Sequence, residues 1–227
     1  GVQRMRMLAV FTKGERLRHI GHLDLMRAMQ RALRRSELPV SYSKGFNPHI
    51  LVTFASALST GAWSKREIMD VTLDTEVTPE AFTAAMNRAL PVDLRVLSAR
   101  PIDDRHPALM AMVAAAEYAI TVMDADTAAK LAACREAFLA QAEIITPRKT
   151  KSGVKDCDIK PLMYGLSMKD DVIHARLCLT ESSSCKPDML LTAWCGFAGC
   201  EAPRHLICRE QLFGRDAAGE LAPLETL

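Results

Sequence analysis

Most of the short motifs that mark catalytic and cofactor-binding sites are missing from the sequence. There is no C-x-x-C pair, no H-E-x-x-H zinc motif and no C-x-x-x-C-x-x-C triplet to hold an iron–sulfur cluster. There is also no G-x-x-x-x-G-K-S/T or G-x-G-x-x-G loop, the motifs of nucleotide hydrolysis and dinucleotide binding. The chain is therefore not expected to be a radical SAM catalyst or a nucleotide-hydrolysing enzyme, and no cofactor is predicted.

Long apolar runs are missing as well, so no membrane association is predicted. The longest such run, residues 107–123, is interrupted by Glu117, whereas a spanning helix needs about 20 residues. The seven cysteines are odd in number and scattered, and no signal peptide is recognised. Reduced thiols in a cytoplasmic protein are expected rather than a disulfide framework.

The first part of the chain has few acids and many bases. Residues 1–66 contain twelve Lys and Arg against three acids, a net charge of +9, and the remaining residues have 17 bases against 24 acids, a net charge of −7. A basic segment of this kind predicts a polyanionic partner. The alternative is that it pairs with the acidic remainder of the chain.

Two similar orders of secondary structure follow one another, each running strand, helix, two or more strands, helix, strand. The predicted strands are 5–13, 49–58, 66–76, 93–102, 116–123, 142–149, 156–168, 172–180 and 205–213. The predicted helices are 22–36, 78–90, 124–140 and 186–197. This order predicts an α+β protein of two tandem ferredoxin-like βαββαβ halves, residues 1–103 and 104–227, with antiparallel sheets and helices on one face.

The first predicted helix has one apolar side and one basic side. Its apolar residues recur at helical spacing, and they are Leu25, Met26, Met29, Ala32 and Leu33. Arg27, Arg31 and Arg34, here called the basic helix face, line the other side. Guanidinium groups in such a row are suited to hold phosphates.

Two motifs in this region, HLD at residues 22–24 and GFNPH at residues 45–49, carry a family resemblance. The stretch "FTKGERLRHIGHLDLMRAMQRALRRSELPVSYSKGFNPH", followed by "FASALSTG" and "REIMDVTL", resembles the bacterial family of radical SAM-linked proteins of uncharacterised function. Members occur alone or fused behind a cobalamin-binding radical SAM protein, so the resemblance implies a radical SAM partner. It implies no reaction. The match is close over residues 5–75 and returns in "RKTKSGVKDCDIKPL".

Two positions depart from the family pattern. Ile50 stands where a proline usually follows the GFNPH histidine, and "ALSTG" replaces a proline-rich turn. These departures concern the geometry of the loops rather than membership.

Three histidines and a carboxylate lie in or beside the two motifs, namely His19, His22, Asp24 and His49. If the fold brought them together, they could bind a metal or act as general acid and base in a metal-independent ribonuclease. The structural alternative is that a histidine caps the helix while Asp24 sits in its first turn and pairs with Arg27. We therefore assign no catalytic residue and no metal site from the sequence.

The GFNPH turn is expected to present side chains at fixed positions. Gly45 permits a positive φ, and Asn47 can bond its own backbone. Phe46 and His49, beside Lys44, could then stack a base and hold its phosphates. The alternative is that Phe46 fills the core below the loop and His49 satisfies a backbone group.

A second basic element is expected at a hairpin tip around Gly153. Arg148, Lys149, Lys151 and Lys155 surround it, and four cations on such a loop can follow a phosphate backbone. The alternative is an exposed, solubilising turn.

The sequence as a whole favours a cytoplasmic, non-catalytic RNA-binding protein that presents its substrate to a radical SAM enzyme in RNA modification. The alternatives are a metal-independent ribonuclease and a protein-only adaptor that docks on the radical SAM partner, and the oligomeric state is left open. The predicted nucleic-acid-binding residues are Arg16, Arg18, Arg27, Arg31, Arg34, Lys44, Phe46, Asn47, His49, Arg148, Lys149 and Lys151.

Overall fold

The structure is a computed structural model that describes residues 4–227. The chain divides into two compact units of mixed helix and strand. Unit one comprises the residues up to Val113 together with Gln211–Leu227, and unit two comprises Ala114–Glu210. None of the helices within residues 4–227 combines the length and the apolar character needed to cross a bilayer.

Unit one has the strand order of a ferredoxin-like fold. Its elements are β1 (Met5–Lys13), α1 (His22–Arg35), β2 (Val52–Phe54), β3 (Ala62–Leu73), α2 (Pro79–Ala89), β4 (Leu94–Ile102) and the short α3 (Leu109–Met112). The sheet runs β4-β1-β3-β2, and each of these pairs is antiparallel. The predicted βαββαβ order is therefore confirmed for this unit.

The core of unit one lies between its sheet and its two long helices. Alternate residues of β1, including Met7 and Phe11, are buried against Met29 of α1 and Phe82 of α2. This follows from the two periods involved, since every second strand residue and every third or fourth helix residue face the same layer. Fully burying each such side chain stabilises the fold by about 1.5–3 kcal/mol.

Residues 211–227 complete unit one. The guanidinium of Arg100 on β4 donates to the backbone oxygens of Glu225 at 2.8 Å and Leu227 at 2.5 Å. Arg66 of β3 forms an ion pair with the Glu225 carboxylate at 3.1 Å. These contacts join sequence positions more than a hundred residues apart.

Unit two repeats the plan with one insertion. Its elements are β5 (Ala115–Val122), α4 (Ala125–Leu139), β6 (Ile145–Thr150), β7 (Gly153–Asp158), β8 (Met163–Lys169), β9 (Val172–Cys178), α5 (Pro187–Ala198) and the first part of β10 (His205–Arg215). The sheet runs β10-β5-β9-β8, which is again the ferredoxin-like order, while β6 and β7 form a separate two-stranded hairpin. Phe138 of α4 stacks on Trp194 of α5, with ring centroids 5.5 Å apart.

The prediction of one strand over residues 156–168 was wrong. A 3-10 turn at Lys160–Leu162 separates β7 from β8. The Asp158 carboxylate accepts hydrogen bonds from the backbone N–H groups of Ile144 at 2.8 Å and Lys160 at 3.0 Å. Pro161 has no N–H to donate to a ladder, so the chain turns there instead of continuing as a strand.

The prediction of a strand over residues 49–58 was too long. Only Val52–Phe54 pair with β3, because the residues before them form a projecting loop. A further short strand, β11 (Leu221–Pro223), pairs with the end of β10 and was not predicted.

Candidate nucleic-acid interface

The HLD motif is held in place by a buried lysine. Lys13, at the end of β1, is only 1% exposed, and its ammonium group donates to the backbone oxygens of Ile20 at 2.7 Å and Ala62 at 3.0 Å. Hydrogen bonds from a charged donor are about twice as strong as neutral ones. This lysine therefore fixes the peptide that enters α1.

The two histidines of this entrance point to different environments. His19 is exposed, whereas His22 opens α1 and turns its ring toward Phe54 of β2, with ring centroids 5.8 Å apart. The Nδ1 atom of His22 is buried and has no hydrogen-bond partner among residues 4–227. Because His22 packs on an aromatic ring, it contributes to the edge of the core.

The basic helix face is exposed along α1. Arg27 forms an ion pair with Asp24 one turn earlier, with Nη1 and Oδ1 3.1 Å apart, as the structural alternative anticipated. Arg31 and Arg34 are exposed, and neither forms an ion pair or hydrogen bond with any residue in the range 4–227. Two of the three guanidinium groups are therefore open to an external anion.

Residues 43–49, here called the Phe46 loop, project from the edge of unit one as a closed loop. Its two ends are joined by the Ser43 N–H, which donates to the His49 oxygen at 2.8 Å, and the His49 N–H, which donates to the Ser43 hydroxyl at 3.1 Å. The same hydroxyl lies 2.9 Å from Nδ1 of His49. Gly45 has a φ of +125°, which only glycine adopts without strain.

Phe46 sits at the tip of this loop with its side chain fully exposed. Its neighbours Lys44, Asn47 and Pro48 are exposed too, and Lys44 has no ion-pair partner within residues 4–227. The ring therefore does not fill the core, and of the two interpretations of Phe46 the structure supports presentation to the solvent.

The three histidines and Asp24 do not form a metal-binding cluster. Within residues 4–227 no group of three or more His, Cys, Asp or Glu side chains has the arrangement of a metal site. His49 instead lines a small groove of about 220 Å³ with Asp70 and Thr72. In that groove Arg6 holds Oδ2 of Asp70 at 2.5 Å, while Oδ1 of Asp70 has no partner among the described residues.

The remaining predicted cations of unit one are engaged locally. Arg16 forms an ion pair with Asp93 at 3.2 Å. The guanidinium of Arg18 donates to the backbone oxygen of Glu15 at 3.3 Å. Both contacts lie at the surface, so they compete only weakly with an external anion.

In unit two the predicted basic hairpin is formed by β6 and β7. Arg148 lies opposite Lys155 in the register, and Lys151 is at the turn, where Gly153 has a φ of +126°. Lys149, Lys151 and Lys155 are exposed, and Arg148 is partly buried. Two like charges opposite each other in a ladder repel, so the hairpin gains from an anion that lies between them.

A cavity of unit two lies between this hairpin and α5. It has a volume of about 650 Å³ and is lined by Pro147, Arg148, Lys149, Val154, Ser184, Lys186, Asp188, Met189 and Thr192. Sequence reasoning missed the contribution of α5, because Lys186 precedes the helix as an isolated cation with no pattern around it. The only signal was Pro187, which marked where the helix begins.

The single carboxylate of this cavity is paired. Nε2 of His205 lies 3.1 Å from Oδ1 of Asp188. The hydrogen bond from His205 lowers the pKa of Asp188, and the same bond raises the pKa of His205. Paired in this way, Asp188 offsets the neighbouring cations only in part.

Residues 6–187 match a protein family described as an uncharacterized protein conserved in bacteria (DUF2344). The chain therefore belongs to this family. The match includes both motifs, the Phe46 loop, the basic hairpin and the start of α5. No curated protein matches the chain.

Proposed function

We propose that this protein is a cytosolic, non-catalytic RNA-binding protein that presents single-stranded RNA to a radical SAM enzyme. The observation that carries the proposal is the fully exposed ring of Phe46, held at the tip of a hydrogen-bonded loop beside Lys44. A radical SAM enzyme is proposed because the HLD and GFNPH motifs resemble the radical SAM-linked family.

The position of Phe46 suits a stacking contact. Leaving a phenylalanine in water forgoes about 2 kcal/mol of burial, which a ligand stacked on the ring would recover. A base that stacks on an aromatic ring contributes about 1–3 kcal/mol in alanine-substitution experiments. Such a base must be unstacked from its own neighbours, and this favours single-stranded RNA over a duplex.

Cations near the loop can hold the backbone of the same strand. Only residues 36–42 separate the end of α1 from the Phe46 loop, so the two lie at most about 30 Å apart. Lys44, Arg31 and Arg34 are unpaired within residues 4–227 and are free to contact phosphates. Phosphate contacts of this kind supply most of the affinity of proteins that bind RNA without sequence preference.

The test is the affinity of the protein for a fluorescent single-stranded RNA, measured by anisotropy. Phe46→Ala is expected to weaken binding by about 5- to 150-fold, the equivalent of one lost stacking contact. Phe46→Trp should retain binding. Val92→Ala, which also truncates an exposed apolar side chain of unit one, is the matched control and should bind normally.

The cations are tested in the same assay. The double variant Arg31→Ala/Arg34→Ala should weaken binding, whereas Arg105→Ala, an exposed arginine outside α1, should not. Unchanged RNA affinity in Phe46→Ala would contradict the proposal. If the same variant instead lost a bound partner protein after ribonuclease treatment, the Phe46 loop would be a protein-docking element.

A further inference from the structure

The cavity at the basic hairpin continues as a longer groove along α5. A second cavity, of about 260 Å³, lies between the same two elements and shares Pro147 and Thr192 with the first. We call the two together the β6–α5 groove. The groove belongs to unit two, whereas Phe46, Arg31 and Arg34 belong to unit one.

One end of the β6–α5 groove is basic. Arg148 and Lys149 of β6 and Lys186 before α5 line it, and Asp188, paired with His205, is its only carboxylate. None of the three cations forms an ion pair or hydrogen bond through its side chain with a residue in the range 4–227. Cations that line one cavity are suited to bind a phosphate group.

The other end of the groove is apolar and has an open floor. Ala193 and Gly196 of α5 line it together with Phe197 and Ile145, which are 42% and 47% exposed. A Cβ added at Gly196 would meet no atom within 4 Å, so the groove has room above this glycine. A flat apolar group can lie there against the edge of the Phe197 ring.

A buried hydroxyl lies in the apolar part of the groove. Thr146 is 1% exposed, lines the apolar part of the groove, and its Oγ1 makes no hydrogen bond with the described residues. Because strand side chains alternate, Thr146 and Arg148 lie on the same side of β6, about 7 Å apart. An unpaired buried hydroxyl is destabilising unless a ligand or water satisfies it.

We propose that the β6–α5 groove binds one nucleotide unit, with its phosphate at Arg148 and Lys186 and its base over Gly196 beside Phe197. The hydroxyl of Thr146 then bonds a polar atom of the nucleotide. The nucleotide is either free or part of an RNA strand, and only the second form rests on the proposed function. The spacing along β6 matches a ligand with an anionic end and a flat apolar end.

Gly196 provides a test that leaves the fold intact. Gly196→Leu fills the groove where the base would lie, and its Cβ meets no atom within 4 Å. Leucine also favours the helix over glycine, so thermal stability should not fall. Ala129→Leu, which places the same side chain at an exposed position of α4, is the matched control.

Binding of adenosine and uridine 5′-monophosphates is measured by calorimetry, with the nucleosides and inorganic phosphate as comparison probes. We expect the mononucleotides to bind better than either comparison probe. Gly196→Leu and Arg148→Ala should each weaken that binding at least about tenfold, since each removes one part of a two-part contact. Ala129→Leu should leave it unchanged.

A single-stranded RNA assayed with the Phe46→Ala protein distinguishes the two sources of the nucleotide. If mononucleotides bind weakly but the remaining RNA affinity depends on Gly196, the groove takes a nucleotide of a strand. If Gly196→Leu weakens mononucleotide binding and no RNA binds, the groove takes a free nucleotide. The proposed function would then be contradicted, whereas the inference about the groove would hold.

Two results would overturn the inference. In the first, inorganic phosphate binds as tightly as the mononucleotides and Gly196→Leu does not change their affinity. The groove would then bind only an anion. Alternatively, neither mononucleotide nor RNA binding would respond to Gly196→Leu. If RNA affinity still falls in Phe46→Ala, the proposed function would hold and only the inference about the groove would fail.

Discussion

Phe46 and Phe54 show how the same side chain serves two purposes within one short segment. Phe54 is 6% exposed and packs on Phe11, with ring centroids 5.3 Å apart. Phe46 is eight positions earlier and fully exposed. The apolar pattern of the sequence does not separate the two, because Gly45 and the Ser43–His49 hydrogen bonds decide which ring leaves the core.

This difference predicts opposite effects on stability. Phe46→Ala should change the free energy of unfolding by less than about 0.5 kcal/mol, because a fully exposed ring contributes little packing. Phe54→Ala should lower it by about 3–5 kcal/mol, since it leaves a cavity beside Phe11. Urea unfolding of the two variants measures both values. A large loss in Phe46→Ala would mean that the ring is buried.

His205 and Asp188 make part of the stability depend on pH. Nδ1 of His205 lies 2.9 Å from the oxygen of Pro203, to which its N–H can donate. With Nδ1–H used in this way, Nε2 can donate to Asp188 only when the imidazole carries both protons. The charged form is therefore the one that the folded protein favours.

The sign of the effect follows from the two pKa shifts. The pKa of His205 is raised above its ordinary 6.5 by the bond to Asp188, so its stabilisation is complete below pH 6.5 and disappears as the pH rises through the raised value. The pKa of Asp188 is lowered below 3.8, so its contribution disappears only in strong acid. Wild type should thus exceed His205→Gln in unfolding free energy by more at about pH 5.5 than at about pH 8.5.

Urea titrations of both proteins at the two pH values measure this difference. Asp188→Asn should remove the pH dependence in the same way, because it removes the partner of the imidazolium. An equal gap between wild type and His205→Gln at both pH values would show that the pair does not titrate as described.

The elements that the sequence predicts best are those with their own local signals. Thr78 caps α2 by accepting a hydrogen bond from the Ala81 N–H at 3.1 Å, and Asp124 caps α4 by accepting one from the Thr127 N–H at 2.8 Å. The bounds of α1, α2, α4 and α5 agree with prediction to within two residues. Such signals lie within one turn of the chain and are readable without tertiary structure.

Elements that depend on distant partners were predicted less well. The Asp158 carboxylate accepts a hydrogen bond from Ile144, 14 residues earlier, and another from Lys160, two residues later. The turn that these bonds hold divides the predicted strand at 156–168 into β7 and β8. The candidate site shows the same contrast. Helical spacing predicts the exposed arginines of α1. It does not predict that Lys186 and Thr192 line a groove, because that depends on where the hairpin packs.

The entrance to α1 depends on Lys13, and its removal should destabilise that element. Lys13→Met keeps the length of the side chain but leaves the oxygens of Ile20 and Ala62 without their charged donor. We expect a loss of about 2–3 kcal/mol in unfolding free energy and faster hydrogen exchange at the start of α1. Lys169→Met, at an exposed strand end, is the control and should change little.

The excess of bases at the start of the chain should govern how RNA binding responds to salt. For a single strand, log Kobs falls with log salt by about 0.7 per phosphate contacted. The Arg31→Ala/Arg34→Ala protein should therefore show a slope shallower than wild type by about 1.4. Phe46→Ala should weaken binding without changing the slope, because stacking releases no counterions.

Anisotropy titrations from about 50 to 300 mM salt measure these slopes. Identical slopes for wild type and the double arginine variant would show that α1 does not contact phosphates. The two types of contact are thus separable in one experiment.

The membership of Gln211–Leu227 in unit one has a consequence for how the protein is made. A ribosome that has released residues up to Val113 has produced every other part of that unit, yet Arg66 and Arg100 still await Glu225 and Leu227. The first unit must therefore stay incomplete while the whole of the second is translated, at about 5–20 residues per second. During those seconds a nascent chain with a basic, partly folded first unit is exposed to the RNA-rich surface of the ribosome itself.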